Sequence, residues 1–280
     1  MTSRGRGLWP SADRLARVPR SARLAIVRSG DWRRVVYPLV ALAIFGAIWE
    51  VLAAGSDSLL IPTFLETIEA LLGLLTSPDL WRALAISNLA LVIGFGLSLL
   101  TGIPLGLAVG RYRTLEGLIN PYITILLTVP IAGFIPLLLI SLGIGLEARV
   151  AIVYMFAIVV LVVNCRAGVH QVDAALIEMA RAFGASELRI WQRVLLPGSI
   201  PSVMAGVRVS LSHAVTGMVV VELLLVAVGI GRLILELQSR FNAAGVYAAV
   251  VVIVLEAAVL ISLVDWVARK AAPWSRYATA

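Results

Sequence analysis

The chain alternates long apolar runs with short polar breaks, and the lengths of the runs are its first informative feature. Reading from charge to charge and turn to turn gives six runs, at about 37–54, 86–109, 120–142, 148–165, 203–228 and 244–268. Each is close to the roughly 20 residues a helix needs to cross a bilayer core. The pattern predicts an all-α, polytopic membrane protein with about six transmembrane helices. It divides the chain into an Arg-rich segment 1–36, a transmembrane domain 37–270 and a short tail 271–280.

One break departs from the rest. In "EMARAFGASELRIWQRVLLP", Glu178 to Pro197, five charged side chains fall within twenty residues. From Asp173 to Phe183 the apolar residues Leu176, Met179, Ala180 and Phe183 recur three or four apart, the spacing of one helix face. Asp173 is placed to accept the free N–H groups of a first turn, and Gly184 to end the helix. Ser186 is a candidate cap for a second helix, with Glu187 near the positive end of its dipole. Leu188, Trp191 and Leu195 form that helix's apolar stripe. Pro197 is expected to stop it, because proline lacks the N–H and the clearance for a helix interior. Two short amphipathic helices of this kind suit either the lipid headgroup layer or a groove on a partner protein. Spacing alone leaves both open.

Composition agrees with the membrane reading. Sixty per cent of the residues are hydrophobic and 14% are charged, against about 45–50% and about 25% in soluble domains. The net charge of +7 is unevenly placed, since nine of the 23 basic residues are arginines within the first 34 positions. A basic segment ahead of an apolar run holds that end in the cytoplasm, and it lies naturally against anionic lipid rather than nucleic acid. Arg33-Arg34 faintly resembles a twin-arginine export signal, but no small-residue cleavage site follows, so the first run reads as an uncleaved anchor. With both termini cytoplasmic, 19 basic residues fall inside and four fall outside, namely Arg82, Arg149, Arg232 and Arg240. That assignment also puts Glu178–Pro197 in the cytoplasm.

The chemistry-bearing residues are few. The single cysteine, Cys165, reads as a packing residue, and His170 and His213 have no carboxylate at metal-ligand spacing. The only lysine, Lys270, lies between Arg269 and Ala271, so no P-loop is present. No paired acid–base cluster or nucleophile elbow suggests an enzyme. Glu50, Glu222, Glu256 and His213 are ionisable residues in or near apolar runs, a feature shared with ion-gradient-driven secondary transporters. Glu50 and Glu256 stand near span ends, where structural pairing is expected, whereas Glu222 must face a bundle interior, a cavity or a partner. Pro130 and Pro136 bracket a stretch of span three that can bend, and a lining role is open for Pro130–Ser141. Gly94, Gly96, Gly102, Gly106 and Gly110 let span two approach a neighbour closely.

The order Glu178, Ala180, Gly184, Val194, Leu196-Pro197 resembles the cytoplasmic "EAA" loop of ABC importer permeases. That loop reads Glu-Ala-Ala, three residues, Gly, nine residues, Ile, one residue, Leu-Pro; here every spacing matches, with Met179 and Val194 as apolar departures. Further stretches resemble the nitrate/taurine/sulfonate-type permeases, among them "GIPLGLAVGRYRTLEGLINPYI" at 102–123, "LPGSIPSVMAGVRVSLSHA" at 196–214 and "GIGRLI" at 229–234. The first 36 residues fall outside the match. The resemblance implies a type I importer permease fold with a coupling loop at 172–200 between helices four and five. It assigns ATPase coupling to Glu178, Met179, Ala180, Arg181, Phe183, Gly184, Ala185, Val194, Leu196 and Pro197. The implied partners are two cytoplasmic ATPase subunits carrying the ATP and Mg, a second permease copy and an extracytoplasmic solute-binding protein. The chain itself is expected to hold no cofactor and to do no catalysis. The implied cargo is a small anion such as nitrate, taurine or an alkanesulfonate. The family has an acid in the region of Glu222, so Glu222 joins Pro130, Pro136, Ser141 and His213 as candidates for the translocation pathway.

Overall fold

The computed structural model describes residues 31–55, 60–224 and 227–271. The expectations for the Arg-rich segment up to residue 30 and for the tail from 272 lie outside these residues. Every regular element among the described residues is helical. Among these residues two compact units are present, one of 31–55 with 63–65 and one of 60–62 with the described residues from 66 on.

The first unit is built on α1 (Asp31–Ala54). The Trp49 ring meets those of Phe45 and Phe64 edge-on, at 5.8 and 5.7 Å between centroids. Gly46 lies under Phe64, whose ring a Cβ would approach to 3.1 Å. The Leu65 N–H donates to Glu50 at 3.2 Å, so this carboxylate on an apolar helix is paired, as its position near a span end led us to expect. Only 11% of α1's apolar window is buried, which leaves most of its surface for a non-aqueous surrounding.

The second unit is a helical bundle. It comprises α2 (Phe64–Thr76), α3 (Pro78–Arg111), α4 (Arg113–Thr128), α5 (Ile135–Leu142), α6 (Leu146–His170), α7 (Ala174–Ala182), α8 (Glu187–Ile190), α9 (Leu196–Leu224), α10 (Gly229–Ser239) and α11 (Ala243–Ala271). Ser77 caps α3, its side chain accepting from the Asp79 N–H at 3.2 Å, with Pro78 following where no N–H is needed. Helix α3 begins before the expected residue 86 and, at 34 residues, is about 50 Å long, longer than the hydrocarbon core.

The span expected at 120–142 is not one straight helix. Helices α4 and α5 meet at 92° across a break of a few residues, followed by a 3₁₀ turn at Ile131–Phe134. Pro130 is the cause: it has no N–H to donate and forces Val129 out of helical geometry, to φ −76° and ψ 131°. Five helical runs are therefore long and apolar enough to cross a membrane, or six if the bent pair counts as one. The helix expected to reach residue 228 ends at Leu224 in the described chain, and Val228 is extended before Gly229.

Helices α3 and α6 pack most closely. A Cβ at Gly94 would lie 2.7 Å from the Val150 carbonyl oxygen, at Gly106 2.6 Å from Cys165 Cβ, and at Gly110 2.8 Å from the Arg166 carbonyl oxygen. Gly102 and the buried Ser98 complete a series of small residues spaced four or eight apart. Such a stripe lets two backbones touch, which is how membrane helices gain contact without help from water. A Cβ added at Gly96, off the stripe, would meet no other helix within 4 Å. Three apolar layers follow one another along α3. Leu80 packs with Ile230 and Ile234, Leu91 with Val153 and Met218, and Leu107 with Leu161, Cys165, Ile190 and Leu195. Cys165 is the fully buried packing residue the sequence suggested.

Candidate functional site

The loop between α6 and α9 is made of two unlike halves. In the first, the Asp173 side chain accepts from the Ala175 N–H at 2.9 Å and starts α7. At the other end Gly184 takes φ +74°, its N–H donates to the Arg181 carbonyl at 2.8 Å, and the Ala185 N–H donates to the Ala180 carbonyl at 3.0 Å. These are the two bonds of a Schellman cap, which needs a left-handed residue and so favours glycine. None of α7's residues is buried. Leu176 is 46% exposed, Met179 52% and Phe183 85%, so much of its apolar stripe stays open among the described residues, while Ile177 and Ala180 pack against the layer around Leu107. A cavity of about 600 Å³ behind it is lined by Val172, Leu176, Met179, Arg193, Val194 and Pro197, among others.

The second half is bolted to the bundle. Ile190 and Leu195 are fully buried in the layer around Leu107, and Trp191 lies 6.4 Å from the Tyr112 ring. Here two expectations are corrected. Leu188, grouped with Trp191 and Leu195 in one apolar stripe, is 67% exposed while Leu195 is buried together with Ile190, so the three do not share one face. Residues Trp191–Leu195 form a π turn, with the Leu196 N–H donating to the Trp191 carbonyl. The extra residue shifts the facing of everything around it, which a 3.6-residue period cannot anticipate. Pro197 does not stop the helix either: the run is helical from Glu187 to Leu224. It follows directly on the π turn, within the first turn of α9, where a missing N–H breaks little of the ladder. Ser186 occupies the cap position of α8 but its side chain makes no capping bond.

Glu187 makes the loop's strongest polar contact, which sequence reasoning missed. One Arg111 guanidinium nitrogen donates to both its oxygens, at 3.0 and 2.8 Å, and Arg181 donates to one of them at 2.9 Å. Those hydrogen bonds, first from Arg111 and then from Arg181, hold the Glu187 carboxyl below its ordinary range. The sequence had offered only a helix-dipole role for Glu187 and had not singled out Arg111, because the two stand 76 positions apart. Glu178 and Arg189 are exposed.

A second polar cluster lies inside the bundle, toward the other end of α3. Ser87 donates to Glu222 at 2.7 Å, Arg149 donates to it at 3.3 Å, and the Gly231 N–H does so at 3.3 Å. Arg149 also reaches the Ile86 carbonyl at 3.3 Å, and the Ile230 N–H donates to Ser87 at 2.9 Å. Glu222 is 0% exposed and Arg149 8%. A carboxylate in such surroundings requires this kind of pairing. Arg149, which the sequence reading only counted among the charges outside the cytoplasm, is the buried partner on the first turn of α6. The "GIG" stretch is explained here too. Gly229 takes φ +58°, and a Cβ on Gly231 would sit 2.5 Å from the Glu222 backbone.

The pathway candidates do not come together. Glu222 is enclosed, whereas Pro130, Pro136, Ser141 and His213 are all exposed. Glu256 accepts a hydrogen bond from Asn88, and Arg208 donates from Nε to Asp265 at 2.7 Å, so both are structurally paired.

A bundle of membrane-length helices with a bent span and an exposed amphipathic loop is the architecture of a polytopic membrane protein. Residues 102–277 match the family described as "Binding-protein-dependent transport system inner membrane component", and the chain belongs to that family. It is 28% identical over 252 residues to the taurine transport system permease protein TauC of Escherichia coli, covering 86% of this chain and 90% of that one. It is 26% identical over 237 residues to the nitrate import permease protein NrtB of Synechocystis sp., covering 80% and 86%. Among solved structures, the inward-facing MetNI methionine ABC transporter matches with a TM-score of 0.54 at 22% identity, over 72% of this chain and 98% of that chain. The fold is that of an ABC importer permease, and the chain is a multi-pass membrane permease of this transport class. The ion-gradient alternative that the sequence left open gives way to it.

Proposed function

We propose that this permease carries a small anion, such as nitrate, taurine or an alkanesulfonate, and that a separate ATPase drives it through the loop at 172–200. The observation that carries the coupling role is the uncovered apolar face of α7, with Leu176, Met179 and Phe183 outward on a loop that Ile190 and Leu195 anchor. An apolar helix face held rigidly at the end of a bundle suits a groove on another protein. Glu178, Ala180, Arg181, Gly184, Ala185, Val194, Leu196 and Pro197 complete the docking element, either as contacts or by setting its shape. ATP and Mg belong on the ATPase, and the permease performs no covalent chemistry.

Two copies of the chain would enclose the pathway, with Pro130, Pro136, Ser141 and His213 on the faces that a second copy covers. Both termini would lie in the cytoplasm, as the distribution of arginines favours. A solute-binding protein outside would select the solute, and the taurine and nitrate permeases among the relatives support an anion. The test is co-purification of the permease with its ATPase. Wild type should retain the ATPase, and Gly184→Asp should lose it while remaining in the membrane. A permease that never retains an ATPase and moves solute on a proton gradient alone would sink this reading. Ligand binding by the partner solute-binding protein tests the choice of solute.

A further inference from the structure

Resting on the docking role of α7, we propose that Glu187, gripped by Arg111 and Arg181, is the positioning residue that carries the movement of α7 into α3. Helix α7 has no buried residue; Ile177 and Ala180 pack only partly against the layer around Leu107, and the covalent link to α8 passes through Gly184 at φ +74°. A glycine turn is a soft joint. The Arg181–Glu187 pair closes across that joint at 2.9 Å, so the last turn of α7 and the first turn of α8 move as one.

From Glu187 the connection continues to Arg111, the last residue of α3, whose side chain is only 16% exposed. The apolar packing of Ile190 and Leu195 also holds this half of the loop, but such packing is non-directional and tolerates sliding. Charge-assisted hydrogen bonds from one guanidinium nitrogen to both carboxylate oxygens fix a direction. Helix α3 has Pro104 in its interior, where one ladder bond is missing, but Gly94, Gly106 and Gly110 hold its backbone against α6 on both sides of it. At a rise of 1.5 Å per residue, Ser87 lies about 36 Å along the same helix from Arg111. There it meets Glu222 and Arg149, which tie in α9 and α6. Helix α3 thus runs from the clasp at one end to the buried ion pair at the other.

The test uses the full permease assembled with its ATPase in lipid vesicles and needs no knowledge of the solute. Thr101, exposed on α3, is replaced by cysteine and labelled with a water-soluble maleimide, in nucleotide-free and ATP–vanadate-trapped states. The native Cys165 is fully buried and shielded from the reagent. With Glu187 intact, trapping should change the labelling rate by about fivefold or more, the lower range for coupled sites. Glu187→Gln and Arg111→Gln should each retain the ATPase and its basal hydrolysis yet bring the ratio close to one. Glu187→Asp should recover part of the response, as a purely structural role would not. A normal response in Glu187→Gln overturns the proposal, and so does an unresponsive Thr101 when Glu187 is present, since α3 then does not move. If Glu187→Gln instead loses the ATPase while Phe183 and its neighbours are intact, Glu187 is a docking contact and the proposal fails. Failure of the docking role itself is distinct: the unaltered permease would retain no ATPase at all.

Discussion

Glu187 and Glu222 are both carboxylates held by arginine, one at the edge of the exposed loop and the other within the bundle. Glu222 is 0% exposed and is bonded by Ser87, Arg149 and the Gly231 N–H. The Glu187 side chain is 55% exposed and is bonded by Arg111 and Arg181. The partners are alike in kind, yet water competes for one set and not for the other. A buried pair leaves a stranded charge when one member is removed, so it governs whether the bundle holds together. Glu187 stays solvated when an arginine is lost, whereas Arg111, 16% exposed, keeps only part of its hydration when Glu187 is lost; the pair contributes less to stability than a buried one, and its value lies in direction and registry. The same chemical device serves as a lock in one place and as a lever in the other.

The largest effect should come from breaking the lock. Arg149→Ala strands Glu222, and a loss of about 3 kcal/mol is expected, the lower end for broken buried pairs, because an unfolded chain in lipid also finds partners for its polar groups. Thermal unfolding in detergent measures it, and an unchanged midpoint would remove the distinction between the two clusters. Gly231→Ala comes next. Its new Cβ would press on the Glu222 backbone at 2.5 Å, which should cost about 1–3 kcal/mol, as overpacking does. Gly184→Ala forces a side chain onto φ +74° and should cost about 1–2 kcal/mol, felt in the loop before the bundle and readable as faster proteolysis there.

Glu187→Gln should act weakly on stability and with a definite pH dependence. The carboxyl of Glu187 is held below its ordinary 4.5 by Arg111 and Arg181. Its contribution is therefore complete above pH 4.5 and is lost as the pH falls through the lower folded value. The gap between wild-type and Glu187→Gln unfolding midpoints should be present at neutral pH and should close on acidification below 4.5; a gap that widens there would contradict the ion-pair geometry. Smallest of all on stability is Phe183→Ser, expected within about 0.5 kcal/mol because an exposed side chain is removed. Its effect should show in ATPase retention, which makes it the clearest separation of lever from lock.

Much of this was legible in the residues. Apolar run lengths reported the membrane helices, and Asp173 and Gly184 marked the two ends of α7 because capping is a local event. The small-residue series on α3 announced close packing with a neighbour, although not which one. The loop's second half was read less well. Leu188 was put on one face with Trp191 and Leu195 and Pro197 was taken as a stop, because a π turn changes the period without any mark in composition. Arg149 was counted as an outer charge because its partner lies 73 positions away.

The sequence by itself determined that this chain is a helical membrane protein with an exposed amphipathic loop of importer-permease register, since run length, capping and spacing act over a few turns of chain. Only the tertiary structure decided that Arg111 and Arg181 meet on Glu187, that Arg149 and Ser87 meet on Glu222, and that α3 connects the two. Those pairings depend on helix packing between distant segments, and a charge's role follows from whether packing leaves it in water or shuts it away.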